Sequence, residues 1–159
     1  METTVEYSGG VAFTVEARGH RVICDQPIEN GGADTGMTPP EFLLASLGTC
    51  AAFYAVQYLR TRSLSTEGLR VRVSAEKGTA PARLTSFRIE IAMPDLEPKH
   101  QTGALRAVKS CLIHNTLLYS PAIEIEFDTS IAFVQLLTAI TLSAAAIPAR
   151  SISLTYGLV

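Results

Sequence analysis

Between Glu41 and Arg60 the chain runs FLLASLGTCAAFYAVQYL without a single charge. Ahead of this run stands Thr38-Pro39-Pro40-Glu41. Thr38 suits a helix N-cap, Pro39 the first helical position, and Glu41 the third, from which a carboxylate reaches back to a free backbone N–H. The stretch therefore predicts a helix of about 30 Å. It is apolar nearly all round, so it must be buried on most sides. Whatever the rest folds into has to surround that helix.

The flanking segments predict strands. Thr3–Tyr7 and Val11–Ala17 alternate around Ser8-Gly9-Gly10, and Arg18-Gly19 turns into a third strand, His20–Cys24. Asp25–Pro40 is rich in Gly and Pro and reads as a loop. Leu69–Glu76 and Leu84–Ala92 alternate charged with β-branched residues, giving one wet and one packed face, with Lys77–Pro81 between them. A second helix is expected from Asp95–Pro98 to about Asn115, with Leu105, Val108 and Leu112 at helical spacing. Tyr119–Pro121 ends it, and Ala122–Phe127 reads as a last strand. The class is α+β.

Residues 129–159 stand apart, with Arg150 as their one charge. Ile131–Ile147 is a helix-like apolar run, shorter than the roughly twenty residues of a membrane span. A buried helix, packed on this subunit or on a partner, is the first reading. A membrane-associating helix and a segment without a selected role are the alternatives. The expected organisation is one domain over 1–128 with an apolar extension over 129–159.

Thirteen basic against fifteen acidic residues give a net charge of −2, which argues against nucleic acid or a polybasic membrane surface as partner. Three cysteines are not a secreted disulfide framework, and METTVEYSGG lacks a leader pattern, so the expected location is the cytoplasm with reduced thiols. Cys111 and His114 have half of a metal-site spacing without a second pair, so neither a metal nor a cofactor is expected.

What remains is Cys50 in the first long helix and Cys111 in the second. As small hydrophobes, both suit a core. As a dithiol they suit peroxide reduction, in which a thiolate becomes a sulfenic acid and a second thiol condenses with it. Cys24, at a strand end, reads as structural. Glu41 lies nine residues before Cys50, on the opposite side of an ideal helix, so capping is its stronger role. His114 is either a satisfied core histidine or a support for one of the thiols.

The chain resembles the OsmC/Ohr family of osmotically inducible and organic hydroperoxide resistance proteins. The resemblance lies in Gly19-His20, Asp25-Gln26-Pro27, Gly31-Gly32, the run Thr38-Pro39-Pro40-Glu41-Phe42-Leu43-Leu44-Ala45-Ser46-Leu47-Gly48-Thr49-Cys50, and Cys111-Leu112-Ile113-His114-Asn115-Thr116-Leu117. It extends over about residues 3–128 and is similar to the OsmC-like branch. It implies an intertwined homodimer, with antiparallel sheets wrapped around two long central helices and active sites at the interface. It also implies Cys50 as peroxidatic and Cys111 as resolving thiol, a hydroperoxide substrate, and a cellular thiol or dithiol reductant. Family peroxidases hold an arginine near the reactive thiol, oriented by a glutamate that Glu41 matches by its Pro-Glu context. Residues 1–17 and 25–40 contain no Arg or Lys, and the role is carried onto neither Arg18 nor Arg21. The expected function is thiol-dependent reduction of organic hydroperoxides in stress defence. The alternative is a non-catalytic protein that binds a small apolar or redox-active ligand at a dimer interface.

Overall fold

The structure, a computed structural model, describes residues 1–127. The chain divides into two units, 1–121 and 122–159. The expected apolar helix over 131–147 lies outside the described residues.

The first unit begins with an antiparallel sheet in the order β1 (Thr4–Gly9), β2 (Ala12–Ala17), β3 (His20–Cys24). Register sets Val5, Val15 and Val22 side by side, and Tyr7, Phe13 and Cys24 beside them. Because side chains alternate, all six share one face. The other face carries Glu6, Thr14, Glu16 and Arg21, and the cross-strand pair Arg21–Glu16 closes to 2.6 Å. The apolar face is largely uncovered: Val5, Tyr7, Phe13 and Val22 are exposed.

The loop after β3 is organised by Asp25, which is only 2% exposed. Its Oδ1 accepts the Gln26 N–H at 2.8 Å. Its Oδ2 accepts the Ala33 and Thr35 N–H groups, both at 3.1 Å, and the Thr35 hydroxyl at 2.8 Å. Four donors hold the carboxyl down to about 2, the Thr35 backbone N–H contributing most. Gly32 is required here because a Cβ would collide with the Gln26 carbonyl. A single bridge, Cys24 to Met37, closes the loop. Cys24 is buried in this setting.

Helix α1 spans Pro39–Arg60 and starts as the sequence predicts. The Glu41 carboxylate accepts the Thr38 N–H at 2.7 Å and the Thr38 hydroxyl at 2.8 Å. Leu47, Ala51, Ala55 and Leu59 form its buried stripe. Around Ala51 and Ala55 gather Val108 and the half-buried Leu69, Val71, Ile89 and Ile91. Burying a leucine this completely contributes about 1.5–3 kcal/mol. Within one chain the rest of the helix stays open: Phe53 is exposed, and Leu44, Gly48, Thr49 and Ala52 line an open groove with Val71 and Val73. The described residues supply apolar cover for one side of α1 and not for the other.

The second hairpin is longer than expected. β4 (Arg70–Thr79) and β5 (Ala82–Ala92) stay paired through Lys77↔Leu84, Gly78↔Arg83 and Thr79↔Ala82. The turn is only Ala80-Pro81, so most of the expected loop is ladder. The second long helix is also corrected. It is two helices, α2 (Pro98–Lys109) and α3 (Leu112–Leu118). Ser110 ends α2 with its hydroxyl on the Arg106 carbonyl at 3.4 Å, and Cys111 then takes an extended ψ of 130°. Cys111 is thus the N-cap of α3 and not a mid-helix residue.

Where α1 crosses α2, a Cβ on Gly103 would sit 2.6 Å from Cε2 and 2.7 Å from Cζ of Tyr58. The Tyr58 hydroxyl pairs with His100 Nδ1 at 3.3 Å, and the Arg62 guanidinium stacks on its ring at 3.9 Å. Gly103→Ala is expected to lower stability by about 1–3 kcal/mol, despite alanine's better helix propensity. Adding Tyr58→Leu should restore most of the loss in urea unfolding. An unchanged midpoint in the single variant would refute the tight crossing.

The second unit is described only over residues 122–127, which adopt no regular structure. This corrects the expected last strand. Ile123, Ile125 and Phe127 alternate as a strand's would, yet they are 83%, 86% and 95% exposed. A strand needs an edge to bond to, and no described segment pairs with this one.

Candidate functional site

Cys50 lies on α1, half-buried, one helical turn after the buried Leu47. Cys111 is completely buried at the α2–α3 junction. α3 packs on α1, and this sets the two thiols near enough to influence each other's charge. Both are free. Burial pushes the Cys111 thiol up, and the adjacent Cys50 sulfur pushes it further. The His114 N–H opposes this by donating to Cys111 Sγ at 3.5 Å. Cys111 is therefore a protonated thiol at neutral pH.

His114 is tied in twice. Besides its backbone bond to the sulfur, its ring Nδ1 lies 3.2 Å from the Lys109 carbonyl. A carbonyl only accepts, so Nδ1 carries the proton. The ring borders a half-open apolar cavity of about 720 Å³ lined by Leu47, β5, α2 and α3. Its walls include Leu84, Phe87, Ile89, Leu105, Val108 and Leu117.

Glu41 is not part of this constellation. It is exposed and engaged by Thr38, whose N–H and hydroxyl hold its carboxyl below the usual range. Nine residues of helix separate it from Cys50, about 13 Å along the axis. Arg21 is committed to Glu16, and Arg18 occupies a left-handed turn position at φ 54°. The cations that do reach the cavity are Arg83 and Lys109, which sequence reasoning missed. Neither carries a local signal: one begins a hairpin strand and the other ends an amphipathic helix. Among the described residues no three His, Cys, Asp or Glu side chains converge as a metal site would need.

Residues 31–126 match the family model described as OsmC-like protein, which is more than half of the chain. This chain belongs to the OsmC-like family. Solved OsmC-like structures share the fold. The OsmC-like protein from Mycoplasma pneumoniae superposes with a TM-score of 0.63 at 21% identity, over 75% of this chain and 87% of that one. An organic hydroperoxide resistance protein from Elizabethkingia anophelis gives 0.57 at 16% identity, over 74% and 87%. An organic hydroperoxide resistance protein OsmC from Legionella pneumophila gives 0.52 at 17%, over 74% and 89%. No curated protein sequence matches this chain. The expected OsmC-like α+β fold is thus established, with both cysteines inside the matched residues.

Proposed function

We propose that this protein reduces organic hydroperoxides with thiols, as part of a cytoplasmic stress defence. The observation that carries the reading is a buried, free Cys111 thiol placed near Cys50, with their chain neighbours Leu47, Val108 and His114 lining an apolar cavity. The names of the similar proteins from E. anophelis and L. pneumophila point the same way. In the first step the Cys50 thiolate attacks the terminal oxygen of ROOH. The O–O bond breaks, ROH leaves with a proton, and Cys50 becomes a sulfenic acid. In the second step the Cys111 sulfur attacks the Cys50 sulfur. An S–S bond forms, the S–OH bond breaks, and the hydroxyl leaves as water with the Cys111 proton. A cellular dithiol then reduces the disulfide and is itself oxidised. Cys111 suits the resolving role because it keeps the proton that the departing hydroxyl needs. His114 orients this sulfur through its backbone N–H, and Glu41 serves the helix start.

The proposal extends to a homodimer. The uncovered apolar face of β1–β3 and the open side of α1 are complementary needs, and a second copy meets both. The cavity also suits a second reading, in which the protein binds a small apolar ligand without turning it over.

One molar equivalent of cumene hydroperoxide added to the reduced chain separates these readings. The expected product has lost two hydrogens per chain and yields a peptide linking Cys50 to Cys111, reversed by dithiothreitol. Unchanged mass, or a link through Cys24, would remove the dithiol mechanism.

A further inference from the structure

The cavity beside α3 is asymmetric in charge. Its lining contains Arg83, Lys109 and His114 and no acidic residue, in a chain whose net charge is −2. The three bases come from β5, the end of α2 and α3. The His114 ring is hydrogen-bonded to the Lys109 carbonyl, which ties α3 to the end of α2 at this cavity. Arg83 spends only Nη1 on the turn, on the Ala80 carbonyl at 3.5 Å and the Pro81 carbonyl at 3.4 Å. Among the described residues neither Arg83 nor Lys109 is in an ion pair. Across from them the walls are aliphatic and aromatic, led by Phe87, Ile89 and Leu105.

We propose that this cavity binds an amphipathic anion, an aliphatic chain ending in a carboxylate, with its head on Arg83 and Lys109 and its tail along β5 and α2. The chemistry favours that class. A volume of about 720 Å³ lies in the range of small-molecule sites. Apolar walls make the charged end costly unless it is paired, and a guanidinium and an ammonium supply the pair. A neutral chain would fill the walls and leave both cations unanswered, whereas a cation would be repelled. The binding needs no chemistry at Cys50, so it goes beyond the peroxidase reading and survives that reading's failure.

Calorimetric titration of the full reduced chain with decanoate and with decanol, in the absence of any hydroperoxide, tests this. Decanoate is expected to bind at least about tenfold more tightly than decanol, with a preference that weakens as salt rises. The double variant Arg83→Gln/Lys109→Gln should erase the preference and leave decanol binding unchanged. Both side chains are exposed, so the variant should keep the parent's Tm, which is measured alongside. Equal affinity for acid and alcohol, a preference that survives the double substitution, or no binding of either would overturn the proposal. Co-sedimentation with phosphatidylglycerol vesicles without decanoate binding would assign the cations to a bilayer surface instead, and would equally overturn it.

Discussion

Cys50→Ser is expected to bring hydroperoxide consumption down to the uncatalysed rate, a loss of at least about a thousandfold. A serine hydroxyl at that position is far less nucleophilic than a thiolate and cannot hold the sulfenic oxidation state. Cys111→Ser is expected to behave differently. It should still consume one equivalent of hydroperoxide per chain, because the first step needs only Cys50. Turnover supported by a dithiol should then fall, and excess hydroperoxide should carry Cys50 on to the sulfinic acid, which the dithiol does not reverse. A ferrous-ion oxidation assay for residual hydroperoxide, with mass spectrometry of the Cys50 peptide, reads both variants. Full turnover in Cys50→Ser would remove the peroxidatic assignment. Unimpaired cycling in Cys111→Ser, with no sulfinic acid, would remove the resolving one.

The second large effect concerns Asp25. Its two oxygens answer three backbone N–H groups and one hydroxyl in a loop with little other regular structure. Asp25→Ala leaves those donors without an acceptor, and Tm is expected to fall by about 5–10 °C. Asp25→Asn should recover little, because one amide offers a single acceptor oxygen where Oδ2 alone now accepts three bonds. The pH dependence follows from the sign of the shift. The folded carboxyl titrates at about 2, against 3.8 for the ordinary group. A depressed folded value means that the unfolded chain takes up the proton first as pH falls. The contribution of Asp25 is therefore complete above about pH 4 and fades as pH falls towards 2. Between these limits Tm of the parent should drop more steeply than Tm of Asp25→Ala, which has lost the group. Parallel curves, read by circular dichroism, would refute this account of the loop.

What the sequence makes legible is what local rules govern. Thr38, Pro39 and Glu41 mark the start of α1 because capping involves residues three apart. The alternation in β4 and β5 marks their packed faces because side chains alternate in any strand. The break between α2 and α3 leaves no such mark. Neither Gly nor Pro stands there, and Ser110 ends the helix through its own hydroxyl. The extra pairs at Lys77–Thr79 were hidden by Gly78, which reads as a turn yet pairs with Arg83. Alternation in Ala122–Phe127 expresses a readiness to pair and cannot supply the edge. The two thiols could be named as candidates from their motifs, but the packing of α3 on α1 that sets them near each other is a tertiary fact. So is the approach of Arg83 and Lys109 to one cavity, since 26 residues separate them in the chain.

The place of Cys111 at the start of α3 decides which replacements are informative there. Serine is among the best residues for closing a helix start, so it removes the sulfur while keeping an acceptor for the His114 amide. Alanine would remove both, and any loss of activity would then mix missing redox chemistry with a frayed helix. At this position the polar substitution is the conservative one, although the side chain it replaces is wholly hidden from water.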